Sequence, residues 1–100
     1  MPTVKLSKLQ AEEIAYKLTI VRDETDLLES YELTAEEIDE LIGAVPPVGG
    51  VFQFASKYED VLVGELENCL EIAQDNLDNG DMAYLSYIRS IRNAINKIKG

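Results

Sequence analysis

Residues 56–98, SKYEDVLVGELENCLEIAQDNLDNGDMAYLSYIRSIRNAINKI, decide the fold. Ala55, Tyr58, Leu62, Leu66, Cys69, Ala73 and Leu77 recur at intervals of three and four. That spacing sets them on one face of a long helix ending near Leu77. Ser56 and Glu59 have the spacing of a capping box, so the start lies at Gly50 or at Ser56. Gly64 falls inside this helix, where glycine costs about 1 kcal/mol against alanine and leaves room for a close helix crossing. Asn79-Gly80 ends the helix, because glycine enters the left-handed region without steric penalty. Asp81 follows as a cap. Tyr84, Ile88, Ile91, Ile95 and Ile98 then form an unbroken apolar stripe. The pair reads as an αα-hairpin with a tight turn.

Upstream, Ser7 and Gln10 have capping-box spacing ahead of Ala11, Ile14, Leu18, Val21 and Leu28. This face predicts a helix over 7–30, continuous or broken near Asp23-Glu24. Thr34-Ala35-Glu36-Glu37 is the clearest start signal in the chain, and Ile38, Leu41 and Ile42 give a short apolar face that Gly43 stops. The connector AVPPVGG, residues 44–50, excludes helix and redirects the chain. Val48 to Phe54 is the one β-like stretch. The reading is an all-α, single-domain protein over residues 1–100, a small bundle of four or five helices with a C-terminal αα-hairpin.

The chain has 100 residues, with 46% hydrophobic and 28% charged, which describes a globular domain rather than a disordered one. At this length folding removes roughly 65% of the unfolded surface from water, enough for a core without staples. There is no His, which excludes Ser-His-Asp and Cys-His catalysis and His-ligated metal or haem. The single Cys excludes an internal disulfide. No signal-peptide pattern and no apolar run long enough to span a bilayer appear, so a cytoplasmic location without membrane contact is expected.

Four constellations bear on chemistry. Asp75 to Asp81 matches calcium-loop positions 1, 5 and 6 when aligned on Gly80, but position 12 is Ser86 and the bidentate carboxylate is lost. Glu37-x-x-Glu40, Glu36-x-x-Asp39 and Glu29-x-x-Glu32 have the carboxylate spacing used by all-α, metal-dependent nucleotide pyrophosphohydrolases, yet no matching second pair and no basic cluster for a triphosphate follow. QAEEIAYKL and TAEEIDELI have the look of a helix-turn-helix, but the second helix carries acids where base-reading residues belong. Cys69 lies on the apolar stripe and reads as a small buried hydrophobe rather than a nucleophile. Tyr58 and Tyr84 fit core positions, whereas Tyr16, Tyr31 and Tyr87 are expected nearer the surface. No catalytic residue, metal or cofactor is expected.

Charge is the strongest signal. Nine Lys and Arg against 19 Asp and Glu give a net charge of −10. Residues 23–56 hold nine acids and no base, and residues 58–88 hold eight acids and no base. Ordinary surfaces mix both signs, whereas a single-sign field repels itself and steers toward a basic partner. Two adjacent elements are therefore expected to present carboxylates without interspersed cations. The candidate contact residues are Asp23, Asp26, Glu29, Glu36, Glu37, Asp39 and Glu40.

In size, charge and missing catalytic groups, the chain is similar to the small acidic helical proteins of phages and mobile elements. That resemblance implies a non-enzymatic inhibitor, akin to a DNA mimic, that blocks a basic nuclease, toxin or polymerase and does not itself bind nucleic acid. An antitoxin or immunity protein would carry the same features. A pyrophosphohydrolase or a helix-turn-helix-derived regulator are the remaining alternatives. The stripe on the last helix is long for one small bundle to cover, so it suits a homodimer as well as an intramolecular core.

Overall fold

A computed structural model describes residues 2–100. The order is strand β1 (Thr3–Leu6), helices α1 (Lys8–Asp23), α2 (Thr25–Tyr31) and α3 (Ala35–Ala44), strand β2 (Gly50–Gln53), a 3-10 turn (Ser56–Tyr58), and helices α4 (Glu59–Asp78) and α5 (Tyr84–Lys99). The α4–α5 hairpin is the spine. α1 packs on α4, and α2 and α3 pack in turn on α1. One hydrophobic cluster draws residues from both strands and from α1, α3, α4 and α5, with Val21, Ile38, Phe52 and Ile91 fully enclosed, and α2 packs Leu27, Leu28 and Tyr31 against it.

The capping boxes of α1 and α3 form as the sequence predicts. Ser7 Oγ accepts from the Gln10 amide at 3.2 Å, and Gln10 Oε1 accepts from Ser7 N–H at 2.8 Å. Thr34 and Glu37 exchange the same two bonds at 3.2 and 3.1 Å. Gln10 does more than cap. It is 2% exposed, and its Nε2 donates to the Ser90 carbonyl at 2.8 Å, which pins the start of α1 to α5 across the chain.

Of the two courses expected for the first helical segment, the structure takes the break: it falls at Glu24, whose extended backbone (φ −114°, ψ 104°) separates α1 from α2. Other boundaries differ from the sequence reading. Gly43 does not stop α3. The helix ends at Ala44 because Pro46 forces Val45 before it into extended backbone. Ser56 forms no capping box: residues 56–58 make a 3-10 turn instead, and α4 begins at Glu59 without a side-chain cap. At the other end of α4, Gly80 N–H reaches the Leu77 carbonyl and Asp81 N–H the Asn76 carbonyl, a complete Schellman closure with Gly80 at φ +97°. Asp81 Oδ1 accepts from Ala83 N–H in the turn ahead of α5, while the helix's own N-cap is Ala83.

The sheet is the addition that helical periodicity does not show. β1 and β2 are antiparallel, with Val4 opposite Phe52 and Leu6 opposite Gly50. Val4, Leu6 and Phe52 point into the core, and Thr3, Lys5, Val51 and Gln53 point out. Pro46 to Gly49 forms the turn that delivers β2, closed by Gly49 N–H on the Pro46 carbonyl at 3.2 Å. The apolar stripe of α5 is spent inside one chain: Ile88, Ile91, Ile95 and Ile98 are all buried. Ala94, three residues after Ile91 and four before Ile98, is buried with them. No described helix is long and apolar enough to cross a membrane.

Candidate functional site

The seven candidate carboxylates lie on one continuous stretch, with Asp23 at the end of α1, Asp26 and Glu29 on α2, and the other four on α3. Six are exposed and Glu37 is half-buried. The expectation of a surface without cations needs correction. α1 packs against α3, which brings Arg22 from the last turn of α1 to Asp39 at 2.7 Å, while its Nε reaches Asp23 at 3.3 Å. The 3-10 turn brings Lys57 Nζ to Glu37 Oε2 at 2.6 Å. That ammonium, with the Thr34 backbone amide, holds the Glu37 carboxyl below the usual range. Asp26, Glu29, Glu36 and Glu40 have no ion-pair partner among the described residues, nor does Glu32, whose left-handed backbone (φ 57°) ends α2.

Folding also assembles a polar centre that the sequence reading missed. Glu65 on α4 is 8% exposed. Tyr31 Oη donates to its Oε2 at 2.9 Å, and Lys17 Nζ from α1 lies 3.6 Å from its Oε1. The same ammonium donates to Asn68 Oδ1 at 2.7 Å. A buried charge needs a partner, and here one acid, one amine and one phenol complete each other. The signal was present: Glu65 sits three residues beyond Leu62 and four before Cys69, on the apolar stripe. Tyr31 is consequently half-buried, its ring packed against the core and its hydroxyl on Glu65. Its phenol is pushed well above the usual range, first by burial, then by Glu65, with Glu67 and Asp60 adding to the effect.

Two grooves flank this centre and share Lys17 and Ile20. The first, about 560 Å³, runs between Leu27 and Tyr31 of α2 and Glu67 and Glu71 of α4. The second, about 590 Å³, is lined by Tyr16, Cys69, Ile72, Tyr84 and Tyr87, with Glu13 at its edge. Tyr84 and Tyr87 meet edge to face, their ring centres 6.0 Å apart. Tyr84 is only half-buried, against the sequence reading of a core position, and Tyr87 packs against the core instead. Burial raises both the Tyr87 phenol and the Cys69 thiol, which line this groove together.

Among the described residues no group of three or more His, Cys, Asp or Glu converges as a metal-ligand set. Glu37 and Asp39 are engaged by Lys57 and Arg22, which divides the two helical carboxylate pairs of α3. In the 75–81 segment Asp78 accepts from Gln74, Asn76 donates to the Ile72 carbonyl and Asp81 serves its turn. Protein-family models, curated proteins and solved structures alike provide no match to this chain.

Proposed function

We propose that the protein acts by stoichiometric binding to a basic, nucleic-acid-handling protein such as a nuclease, toxin or polymerase. Its contact surface is the carboxylate face of Asp23, Asp26, Glu29, Glu36, Glu37, Asp39 and Glu40. One observation carries this reading: Asp26, Glu29, Glu36 and Glu40 stand exposed on two consecutive helices with no cation paired to them. Such carboxylates add little to stability and repel one another, so their value lies in the field they project. A basic groove that holds nucleic acid is the complementary surface. Arg22 and Lys57 fix the orientation of α3 within that face, and the unpaired acids around them supply the attraction.

The test is affinity capture from the host with the native protein and with a variant carrying Asp26→Lys, Glu29→Lys, Glu36→Lys and Glu40→Lys. These four changes leave the Arg22 and Lys57 pairs intact. Native protein alone is expected to recover a nuclease, toxin or polymerase, to inhibit it at one-to-one stoichiometry, and to lose the complex steeply with salt, since screening shortens the field to about 8 Å at physiological ionic strength. Equal recovery by both proteins overturns the acidic face. Metal-dependent nucleotide hydrolysis lost on Glu37→Gln or Glu40→Gln would establish the pyrophosphohydrolase reading instead. Direct, sequence-dependent DNA binding would establish the helix-turn-helix one.

A further inference from the structure

Long-range charge brings partners together, but buried aromatic and apolar anchors hold them. Such anchors line the second groove, which shares Lys17 and Ile20 with the groove that reaches α2. Tyr16 is 63% exposed and Ile72 54% exposed, and both line the second groove with Tyr84 and Tyr87. Three of the five tyrosines in the chain thus converge on one concavity. The adjoining groove ends at Glu67 and Glu71, two exposed carboxylates one turn apart on α4 with no ion-pair or hydrogen-bond partner among the described residues. Like charges at this spacing oppose each other. The nearest cation, Lys17, is already taken by Glu65 and Asn68.

We propose that the double groove between α1 and α4 docks an amphipathic helix of a partner protein. Its apolar side chains seat among Tyr16, Ile72, Tyr84 and Tyr87, and its Lys or Arg side chains meet Glu67 and Glu71. The inference rests on the reading of a basic partner and names the segment of that partner which is gripped. The walls are helix faces, so a third helix completes the packing in the ordinary ridge-and-groove manner. From Gly64 to Ala73 the groove follows α4 for about 14 Å, or two and a half turns, which suits anchors at i, i+3 or i+4, and i+7. A second copy of this chain does not fit. The apolar stripe of α5, the helix with the most cations, is buried in its own core, and its exposed face offers Arg89, Arg92, Asn93 and Asn96 with Leu85 in the first turn as its one exposed large apolar side chain, short of the three anchors the groove takes.

The probe is a fluorescein-labelled helical peptide of about 18 residues, with Leu at the anchor positions and Lys elsewhere, followed by anisotropy. One control replaces Lys by Glu and a second replaces Leu by Ser. The Leu/Lys peptide is expected to bind and both controls to fail. Tyr16→Asp, Ile72→Asp, and the pair Glu67→Lys with Glu71→Lys should each weaken binding about tenfold. All four positions are exposed, and unchanged far-ultraviolet circular dichroism verifies that the variants fold. The four-Lys variant of α2 and α3 should bind the peptide within about threefold of the native protein. Absence of binding, equal binding of the Ser peptide, or insensitivity to the groove substitutions overturns the proposal. Loss of peptide only in the α2–α3 variant overturns the groove and leaves the acidic face standing. A native dimer that Ile72→Asp dissociates assigns the groove to a second copy, and overturns it as well.

Discussion

The phenol oxygen of Tyr31 lies 2.5 Å from the point where a side chain at Gly64 would begin. The bare α-carbon of Gly64 is what lets α2 lean on α4 and deliver the Tyr31 hydroxyl to Glu65. Gly64→Ala gains about 1 kcal/mol of helix propensity. It also forces the phenol aside, an overpacking cost of about 1–3 kcal/mol together with strain on the buried hydrogen bond. The expected outcome is a net loss of about 1 kcal/mol in urea unfolding. With Tyr31→Phe the nearest atom is gone, and the double variant should lose less than the two single losses added. Strict additivity would mean the two residues do not touch.

Lys17 and Glu65 form a pair whose side chains are 12% and 10% exposed. Removing one member of a buried pair strands the other, at a cost of about 3 kcal/mol or more. Lys17→Met should therefore destabilise by about that amount. Lys17→Met with Glu65→Met should recover most of it, since apolar replacement of both partners removes the desolvation penalty. Chemical denaturation of the three variants measures this directly. A near-neutral Lys17→Met would show that Glu65 is solvated.

Two capping boxes with the same local bonds differ in what surrounds them. Thr34→Ala removes an exposed cap and is expected to cost about 1 kcal/mol. Gln10→Leu removes a cap and also the part-buried bond to the Ser90 carbonyl, two hydrogen bonds at about 1 kcal/mol each, so about 2 kcal/mol is expected. Hydrogen exchange supplies a second readout. Gln10→Leu should speed exchange at the start of α1 and in the middle of α5, whereas Thr34→Ala should affect α3 alone.

The pH dependence follows from Tyr31 and Tyr87, both held protonated above the ordinary tyrosine value of 10 by burial first, then by Glu65 for Tyr31 and Cys69 for Tyr87. As pH rises past 10 the unfolded chain gives up these protons while the folded chain keeps them. The unfolded state then binds fewer protons, and stability falls with increasing pH. The urea midpoint should be lower at pH 11 than at pH 9. In the ultraviolet titration of folded protein, part of the tyrosinate absorbance should appear late, and return to the ordinary range on unfolding. Tyr31→Phe and Tyr87→Phe should each remove a share of the late component; if neither does, the burial of these phenols is refuted.

The amino-acid sequence by itself determines the helices and the hairpin. The three-four spacing of Ile88, Ile91, Ile95 and Ile98, the Asn79-Gly80 stop and the Thr34–Glu37 box are local instructions, because each acts within one or two turns of the chain. The acidic candidates were legible for the same reason, as a run of like charge bounded by apolar positions. Other features arise only when distant segments meet. Four-residue strands have too few residues for alternation to outweigh other readings, so β1 and β2 exist through pairing across nearly fifty residues and the burial of Val4, Leu6 and Phe52. Arg22 and Lys57 are isolated in sequence, yet packing of α1 and the 3-10 turn on α3 converts them into the cations of the acidic face. Glu65 became a buried charge only because α1 supplied Lys17 and α2 supplied Tyr31 over Gly64. Periodicity records which side of a helix is apolar. Which neighbour covers that side, and which charges meet there, is set by tertiary packing, where partners are chosen by distance in space rather than along the chain.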